Sequence, residues 1–309
     1  AVGAVYGIMS LLIKWRGISF IHRLFPPVVV GPVIILIGLS LAGTGVNMAK
    51  DNWILALVAL FTAVCVTMLG KGLLKLIPIF SGIIVGYVVG LLFFDIDLAP
   101  VAAAPWFSLP QFVTPHFSLE AVLFLAPVAI APVIEHVGDI YAVNSVTGKD
   151  FVKDPGLHRT MLGDGLACAA AGIIGGPPVT TYSEVTGAIS LTKITDPVVI
   201  RIAAVAGILF SVFGKVSALL KTIPAPVLGG IMMLLFGTIA SVGINNLIRN
   251  KTDLGNTRNL IISSLILTFG IGGAVFQFGE FTIAGIGLAS LIGVILNLVL
   301  PNHTKVAHE

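Results

Sequence analysis

Residues 175–187 read GGPPVTTYSEVTG and interrupt a strongly apolar run in its middle. The two glycines and two prolines end a helix here, and the β-branched and aromatic residues at 179–182 predict a short strand. A helical pattern then runs to Lys193, but it is too short to cross a bilayer. Inside a membrane, such an interruption is tolerated only where the backbone lines a cavity or packs against protein. In transporters it marks the substrate site, because the half-helix N-terminus offers free N–H groups. The stretch therefore predicts the binding site of a membrane carrier.

The composition predicts a polytopic membrane protein. Of 309 residues, 57% are hydrophobic and only 10% are charged, and the mean hydropathy is +1.07. A soluble domain does not cover its surface with so few charges, so we expect a lipid bilayer around the chain. The net charge of +3 is spread over short loops, which argues against a nucleic-acid partner. Cys65 and Cys168 each stand alone in an apolar span, so no disulfide, metal site or cofactor is expected.

Apolar stretches of near-spanning length recur along the whole chain. The predicted crossings are 27–46, 53–69, 76–94, 119–143, 160–176, the broken element 177–193, 197–214, 222–243, 259–276 and 281–300. A proline-rich connection, 95–118, is predicted to lie at the membrane interface. With the basic loop 14–23 in the cytoplasm, all of the seventeen lysines and arginines except Lys50, Lys215 and Lys221 fall on the cytoplasmic side.

A weak internal repeat suggests two related halves. The segment FPPVVVG at 25–31 aligns with IPAPVLG at 223–229, a spacing of 198 residues. The predicted topology gives the spans after these two segments opposite directions, which is the signature of an inverted-repeat transporter. The second half contains crossings before residue 223 that have no counterpart before residue 25. We therefore expect a chain that is truncated at its N-terminus.

Two acidic residues lie on one face of the predicted span 119–143. Glu135 and Asp139 are four residues apart. A carboxylate inside a membrane costs free energy, so its presence there indicates a functional residue. Repulsion between the pair favours proton uptake, which makes both residues candidates for proton coupling. Alternatively, Asp139 lies near the cytoplasmic end and pairs with Lys149 or Lys153. His136 points off this face, where packing or a neutral hydrogen bond is favoured over a proton role.

Glu184 has a functional and a local interpretation. Thr181 and Glu184 fit a capping box at the start of the short helix. At membrane depth, facing a span with two further acids, Glu184 is better explained as a ligand for a neutral ring that carries N–H donors and C=O acceptors. Tyr182 could stack on such a ring or simply pack. Asp164 is either a partner in this layer or a helix-end residue.

These motifs together resemble a known family. The segments EHVGD at 135–139, DPGLHR at 154–159, GGPPVTTYSEVTG at 175–187 and IPAPVLGG at 223–230 are similar to the nucleobase/ascorbate transporter family, and within it to bacterial uracil permeases, which are uracil/proton symporters. The resemblance covers essentially the whole chain. It implies an all-α membrane protein of fourteen spans in two inverted halves of seven, with a core domain and a gate domain, and a chain that begins inside the fourth span.

The resemblance also implies domain boundaries and residue roles. Residues 1–23 would be the end of a core span and a basic loop, 24–118 and 215–309 gate-domain spans, and 119–214 core-domain spans with the substrate site. Glu135 and Glu184 would bind the pyrimidine ring, Ser183 would contact it through its backbone amide, Tyr182 would be an aromatic residue at the site, and Asp139 would be linked to the proton. Many uracil relatives read NTTYGEN where this chain has VTTYSEV, which leaves the substrate breadth open.

We therefore expect proton-coupled symport of uracil by alternating access in the inner (cytoplasmic) membrane of a bacterium, by a homodimer whose coupling ion is the proton. A xanthine, uric acid or broader nucleobase carrier of the same family is the alternative. An anion exchanger is disfavoured by the two glutamates. An intramembrane enzyme is disfavoured because the sequence has no nucleophile–base or metal-ligand set.

Overall fold

Helices dominate the fold. The computed structural model describes residues 1–278 and 281–301; within them, the side chains of Ser183 and Glu184, among others, lie outside the description. The fifteen α-helices in this range are α1 (Val2–Arg16), α2 (Ile18–Leu24), α3 (Pro27–Ala49), α4 (Trp53–Leu69), α5 (Pro78–Phe93), α6 (Ala99–Ala103), α7 (Leu119–Val128), α8 (Ile130–Thr147), α9 (Leu157–Ile173), α10 (Ser183–Thr192), α11 (Pro197–Ser211), α12 (Gly214–Lys221), α13 (Ala225–Arg249), α14 (Thr257–Ile271) and α15 (Gly285–Val299). A 3₁₀-helix spans Gly72–Leu76 and a π-helical turn spans Val152–Gly156.

The chain divides into two compact units. The first comprises Ala1–Ser40, Val113–Thr186 and the described part of Thr238–Glu309, and the second comprises Leu41–Phe112 and Gly187–Gly237. This division follows the density of contacts. The expected core and gate domains are defined instead by which spans move together, and their boundaries stay a prediction.

In the first unit, α1 packs along α9 through small residues. A Cβ on Gly3 would lie 2.6 Å from the carbonyl oxygen of Gly165, and one on Gly165 would lie 2.9 Å from the Cβ of Tyr6. Small residues allow such close approach of helices, as is common in membrane proteins. Tyr6 is fully buried at this contact, together with Met161 of α9. The packing fixes the helix that bears Asp164 against α1.

In the second unit, three glycines spaced four residues apart line one face of α5. Gly82, Gly86 and Gly90 are all buried, and a Cβ on Gly82 would lie 2.6 Å from the carbonyl oxygen of Ala59 on α4. The apolar core of this unit contains Leu55, Ala59, Ala63, Val227 and Ile231.

The predicted interfacial connection contains α6 and is tied to the corner between α11 and α12. The Lys215 Nζ donates to the carbonyl oxygens of Val101 at 2.9 Å and Ala102 at 3.1 Å, and so caps the C-terminus of α6. The same ammonium lies 5.5 Å from the centre of the Trp106 ring. The backbone adds a bond from the Ser108 N–H to the Val212 carbonyl. Residues 95–112 of the proline-rich segment thus belong to the second unit.

Several predicted elements differ from the observed ones. The predicted span 119–143 is two helices, α7 and α8, because Pro132 has no N–H to donate and its ring clashes with the carbonyl of Val128. The span predicted at 259–276 ends at Ile271. An antiparallel hairpin that the sequence analysis missed follows it: β1 (Val275–Phe278) pairs with β2 (Phe281–Ala284), with Val275 opposite Ala284.

The predicted short strand at 179–182 is wrong. Residues Gly176–Tyr182 have no regular secondary structure. A strand needs a neighbour for its N–H and C=O groups, and among the described residues no strand lies alongside this segment. Side chains from α1 and α9 contact it instead, as described below.

Two observations bear on the expected repeat and on the membrane. The helices α3 and α13 begin 198 residues apart, the same spacing as the two repeated segments. The inverted arrangement of the halves stays a prediction. Within residues 1–278 and 281–301, α3 and α13 are long and apolar enough to cross a membrane, and five shorter helices are also apolar: α4, α5, α11, α14 and α15.

Candidate substrate site at the helix break

The interruption predicted from the sequence is present. Helix α9 ends at Ile173, a turn covers residues 174 and 175, an irregular segment follows, and α10 begins at Ser183. We call residues 174–182 the break. Gly175 has φ +85°, and a Cβ there would lie 2.8–2.9 Å from the backbone N and O of Val113. Both the left-handed conformation and the close approach favour glycine at this position.

Side chains of α1 and α9 contact the break. The Cys168 thiol donates to the carbonyl oxygen of Val179 at 2.9 Å, and the hydroxyls of Tyr6 and Thr180 lie 3.5 Å apart. The Thr181 hydroxyl donates to Asp164 Oδ2 at 2.8 Å. Because strand pairing is absent, the two bonds between the break and α9 fix the path of the segment, whereas the Tyr6–Thr180 contact is long for a hydrogen bond.

A buried histidine lies at the centre of a polar cluster. His136 of α8 is 2% exposed. Its Nδ1 lies 2.8 Å from Asp164 Oδ2 and 3.0 Å from the Thr181 hydroxyl, and its Nε2 lies 3.0 Å from the Thr160 hydroxyl. The Tyr6 ring meets the imidazole edge-on, with centroids 6.3 Å apart. We call His136, Asp164, Thr160 and Thr181 the His136 cluster.

The cluster resolves two open points of the sequence analysis. Asp164 is a partner in the layer of the break rather than a simple helix-end residue, because it bonds both His136 and Thr181. The expectation that His136 packs or hydrogen-bonds agrees with its burial and its three polar neighbours.

The predicted site residues fall on both sides of the break. Glu135 is half-buried on α8, next to His136, and lies within electrostatic reach of Tyr6, as Asp164 does. Asp139 is 5% exposed, one turn further along α8. Lys153, one of the partners considered for Asp139, forms an exposed ion pair with Asp150 at 3.2 Å.

The remaining predicted ligands lie at the start of α10. The ring of Tyr182 is 67% exposed, so no described residue buries it. The backbone of Ser183 begins α10, as the half-helix interpretation requires. The side chains of Ser183 and Glu184 lie outside the described residues, so the capping box and the ligand role of Glu184 stay predictions.

Sequence reasoning missed Tyr6 and Thr160. A signal for Thr160 was available, because Thr160, Asp164 and Cys168 are spaced four apart and therefore share one face of α9. Each of them bonds α8 or the break. Tyr6 had no such signal, because its neighbours His136 and Thr180 are distant in sequence. Within the described chain, no group of three His, Cys, Asp or Glu residues is arranged to hold a metal ion.

Comparison with known proteins identifies the family. A family model described as "Permease family" (Xan_ur_permease) matches residues 1–278. The chain belongs to this family. It is the nucleobase/ascorbate transporter family that the motifs resembled, so that expectation is confirmed. The permease is a membrane transporter and not an enzyme.

Three relatives show the extent of the similarity. The permease is 52% identical over 308 residues to a probable uracil permease of Haemophilus influenzae, across 97% of this chain and 74% of the relative. It is 44% identical over 323 residues to the uracil permease of Bacillus caldolyticus, across 99% and 75% of the two chains. It is 36% identical over 308 residues to the uracil permease of Escherichia coli strain K12, across 96% and 72%.

Proposed function

We propose that this permease transports uracil across the cytoplasmic membrane of a bacterium, together with a proton. The observation that supports the substrate most strongly is the set of relatives named uracil permeases, which match nearly the whole chain at 36–52% identity. The break supplies the second support, since it opens a helix start next to the acidic helix α8.

The chemistry of the break suits a pyrimidine ring. Uracil presents two N–H donors and two C=O acceptors and carries no charge. A glutamate carboxylate accepts only, so Glu135 and Glu184 would take the ring N–H groups. The first N–H groups of α10, including that of Ser183, have no partner within the helix and would donate to a ring carbonyl. Tyr182 would stack on the ring face.

Proton coupling would use the two acids of α8. Glu135 and Asp139 share a face of the helix, and their mutual repulsion falls when one of them binds a proton. Once one acid of the pair is protonated, the pair carries a single negative charge, and uracil would bind beside one buried charge instead of two. Uracil and the proton would therefore bind together more readily than either alone, which is the thermodynamic basis of symport.

Transport would proceed by alternating access in a multi-pass protein of the inner membrane. Core-domain spans that hold the break would move against gate-domain spans, as in other inverted-repeat carriers. We expect the functional protein to be a homodimer in the lipid bilayer, with the proton as its coupling ion and no other cofactor.

A xanthine, uric acid or broader nucleobase carrier is the second candidate. Val179 and Val185 depart from the pattern NTTYGEN of many uracil relatives, which has asparagine at both positions. A valine side chain makes no hydrogen bond to the ring edge, so these positions would select less strictly among nucleobases. Competition separates the candidates. Membrane vesicles that contain the protein should take up labelled uracil in a saturable way, and excess unlabelled uracil should abolish this uptake while xanthine leaves it intact. Uptake of xanthine without uracil would reject the proposed substrate.

A further inference from the structure

Both nitrogens of the His136 imidazole are occupied by hydrogen-bond partners within the protein. Both ring nitrogens have polar partners at 2.8–3.0 Å, and these partners come from α9 and from the break. Its side chain is 3% exposed, whereas that of Asp164 is 27% exposed. A side chain that is buried and bonded on both sides does not face the substrate chamber, so its role differs from that of a ligand.

The protons of the cluster can be arranged in two ways. In the first, the Thr160 hydroxyl donates to the Leu157 carbonyl at 3.0 Å, so Nε2–H donates to Thr160 and Nδ1–H donates to Asp164, which makes the ring an imidazolium. In the second, Thr160 rotates and donates to a neutral Nε2, and Nδ1–H still donates to Asp164. The bonds between the four members persist in both arrangements, although Thr160 gives up its bond to the Leu157 carbonyl in the second. The cluster therefore persists whether or not the ring is charged.

The position of the cluster connects it to both sides of the site. Thr181 is in the break, two residues before α10 begins, and Asp164 bonds it to α9. His136 fastens α9 and Thr181 to α8, where the neighbouring residue is Glu135. Because the break has no strand pairing to hold it, the distance between the first turn of α10 and the carboxylate of Glu135 depends on these four side chains, in addition to the bond from Cys168 to the Val179 carbonyl.

We propose that His136 is a positioning residue, which fixes the break against α8 and α9 so that Glu135 and the N-terminus of α10 face one ligand. This inference deepens the proposed function and rests on it for the identity of the ligand. The fixing itself is a property of the free protein and is testable without any substrate.

The first test removes the bond to the break without changing shape. Thr181→Val is close in size to threonine but cannot donate to Asp164, and Thr181→Ser keeps the hydroxyl. Thr180→Val is the matched control, because the Thr180 hydroxyl lies 3.5 Å from that of Tyr6, which is long for a hydrogen bond. We expect Thr181→Val to raise the KM for uracil by about tenfold with a smaller change in maximal rate, because a bond to a charged group is lost. Thr181→Ser should restore the KM, and Thr180→Val should leave it unchanged.

Thiol labelling tests the same bond in the absence of substrate. Val185, 44% exposed in the first turn of α10, is replaced by cysteine in a Cys65→Ala background, and Cys168 is kept because it contacts Val179. We expect N-ethylmaleimide to label this cysteine at least about threefold faster when Thr181→Val is added. The free energy of local opening is lower without the bond from Thr181 to Asp164. Thr160→Val, which removes the partner of Nε2, should act in the same direction.

The outcomes separate this inference from the proposed function. If labelling accelerates but the wild type does not transport uracil, the positioning role stands and the substrate is wrong. If Thr181→Val and Thr160→Val label at the rate of Thr180→Val, the His136 cluster does not fix the break and the inference is overturned, whatever the protein transports. Unchanged uracil KM in Thr181→Val overturns it as well.

Discussion

At the scale of single residues, the polar groups near the break divide into two sets. Glu135 and Asp139 lie on α8 and supply carboxylates, whereas Thr160, Asp164 and Cys168 form a stripe on α9 that bonds His136 and the break. The first set has the chemistry for binding and proton exchange. The second set holds backbone and ring in place.

The first residue-scale prediction concerns Glu135. Glu135→Gln keeps the size of the side chain but replaces an acceptor-only carboxylate by an amide, so a ring N–H loses a charged partner. Losing such a bond costs about 1.5–3 kcal/mol, and we expect the KM for uracil to rise about 10- to 100-fold. The measurement is labelled-uracil uptake normalised to the amount of protein in the membrane. The exposed Asp95→Asn serves as the control for a change of charge.

Wild-type uptake kinetics in Glu135→Gln would remove this carboxylate from the site. A variant that is absent from the membrane would instead call for repeating the measurement with Glu135→Asp, which keeps the charge and shortens the side chain.

At the residue scale, the acidic residues were easier to predict from the sequence than the residues that hold His136 and the break in place. A carboxylate in an apolar span is conspicuous because its burial is expensive, which singled out Glu135 and Asp139. Tyr6 and Thr160 are ordinary residues in membrane helices, and their contacts with His136 become visible only in three dimensions. Asp164 remained undecided for the same reason, since its partner His136 lies 28 residues away in sequence.

At the scale of elements, the break depends on its glycine turn. Gly175 combines φ +85° with the close approach of Val113, so Gly175→Ala adds both backbone strain and a steric clash. We expect a loss of about 1–3 kcal/mol in stability and reduced uracil uptake. Gly172→Ala is the matched control, because it lies on α9 with no atom within 4 Å of the added Cβ.

Thermal unfolding of both purified variants measures this difference. We expect a lower midpoint for Gly175→Ala and an unchanged or slightly higher midpoint for Gly172→Ala, since alanine has a higher helix propensity than glycine. Equal midpoints would mean that the break tolerates a side chain at its turn.

The observed elements show which features of secondary structure hydropathy predicts and which it does not. Most predicted spans correspond to apolar helices with ends shifted by a few residues, because length and apolar character are local properties. The hairpin β1–β2 was read as part of helical spans, since short apolar runs look alike as helix or strand. Conversely, residues 179–182 have β-branched character but no strand partner among the described residues.

One exception to the predicted charge distribution has a local explanation. Lys215 falls on the outer side in the predicted topology, against the general bias of the basic residues. In the structure its ammonium caps α6 and approaches the Trp106 ring. A cation at a helix C-terminus is favourable, so this lysine is fixed by the fold of the connection rather than by membrane orientation.

At the scale of the whole molecule, the proposed symport requires that uracil and a proton move together. Helices α3 and α13 begin 198 residues apart, as expected for a repeat, and family membership makes the chain a transporter. Coupling is the property of the complete protein that no single residue or element determines, because the acids of α8 and the break must change their exposure together.

The most direct test is the movement of protons caused by uracil. The purified protein is placed in vesicles that contain a pH-sensitive dye, with no pH gradient imposed, and uracil is added outside. We predict that the interior becomes more acidic as labelled uracil enters, and that Glu135→Gln weakens both signals together at a uracil concentration near the wild-type KM. Entry of uracil with no change of internal pH, or an absence of uracil entry into vesicles that contain the folded protein, would contradict proton-coupled uracil transport.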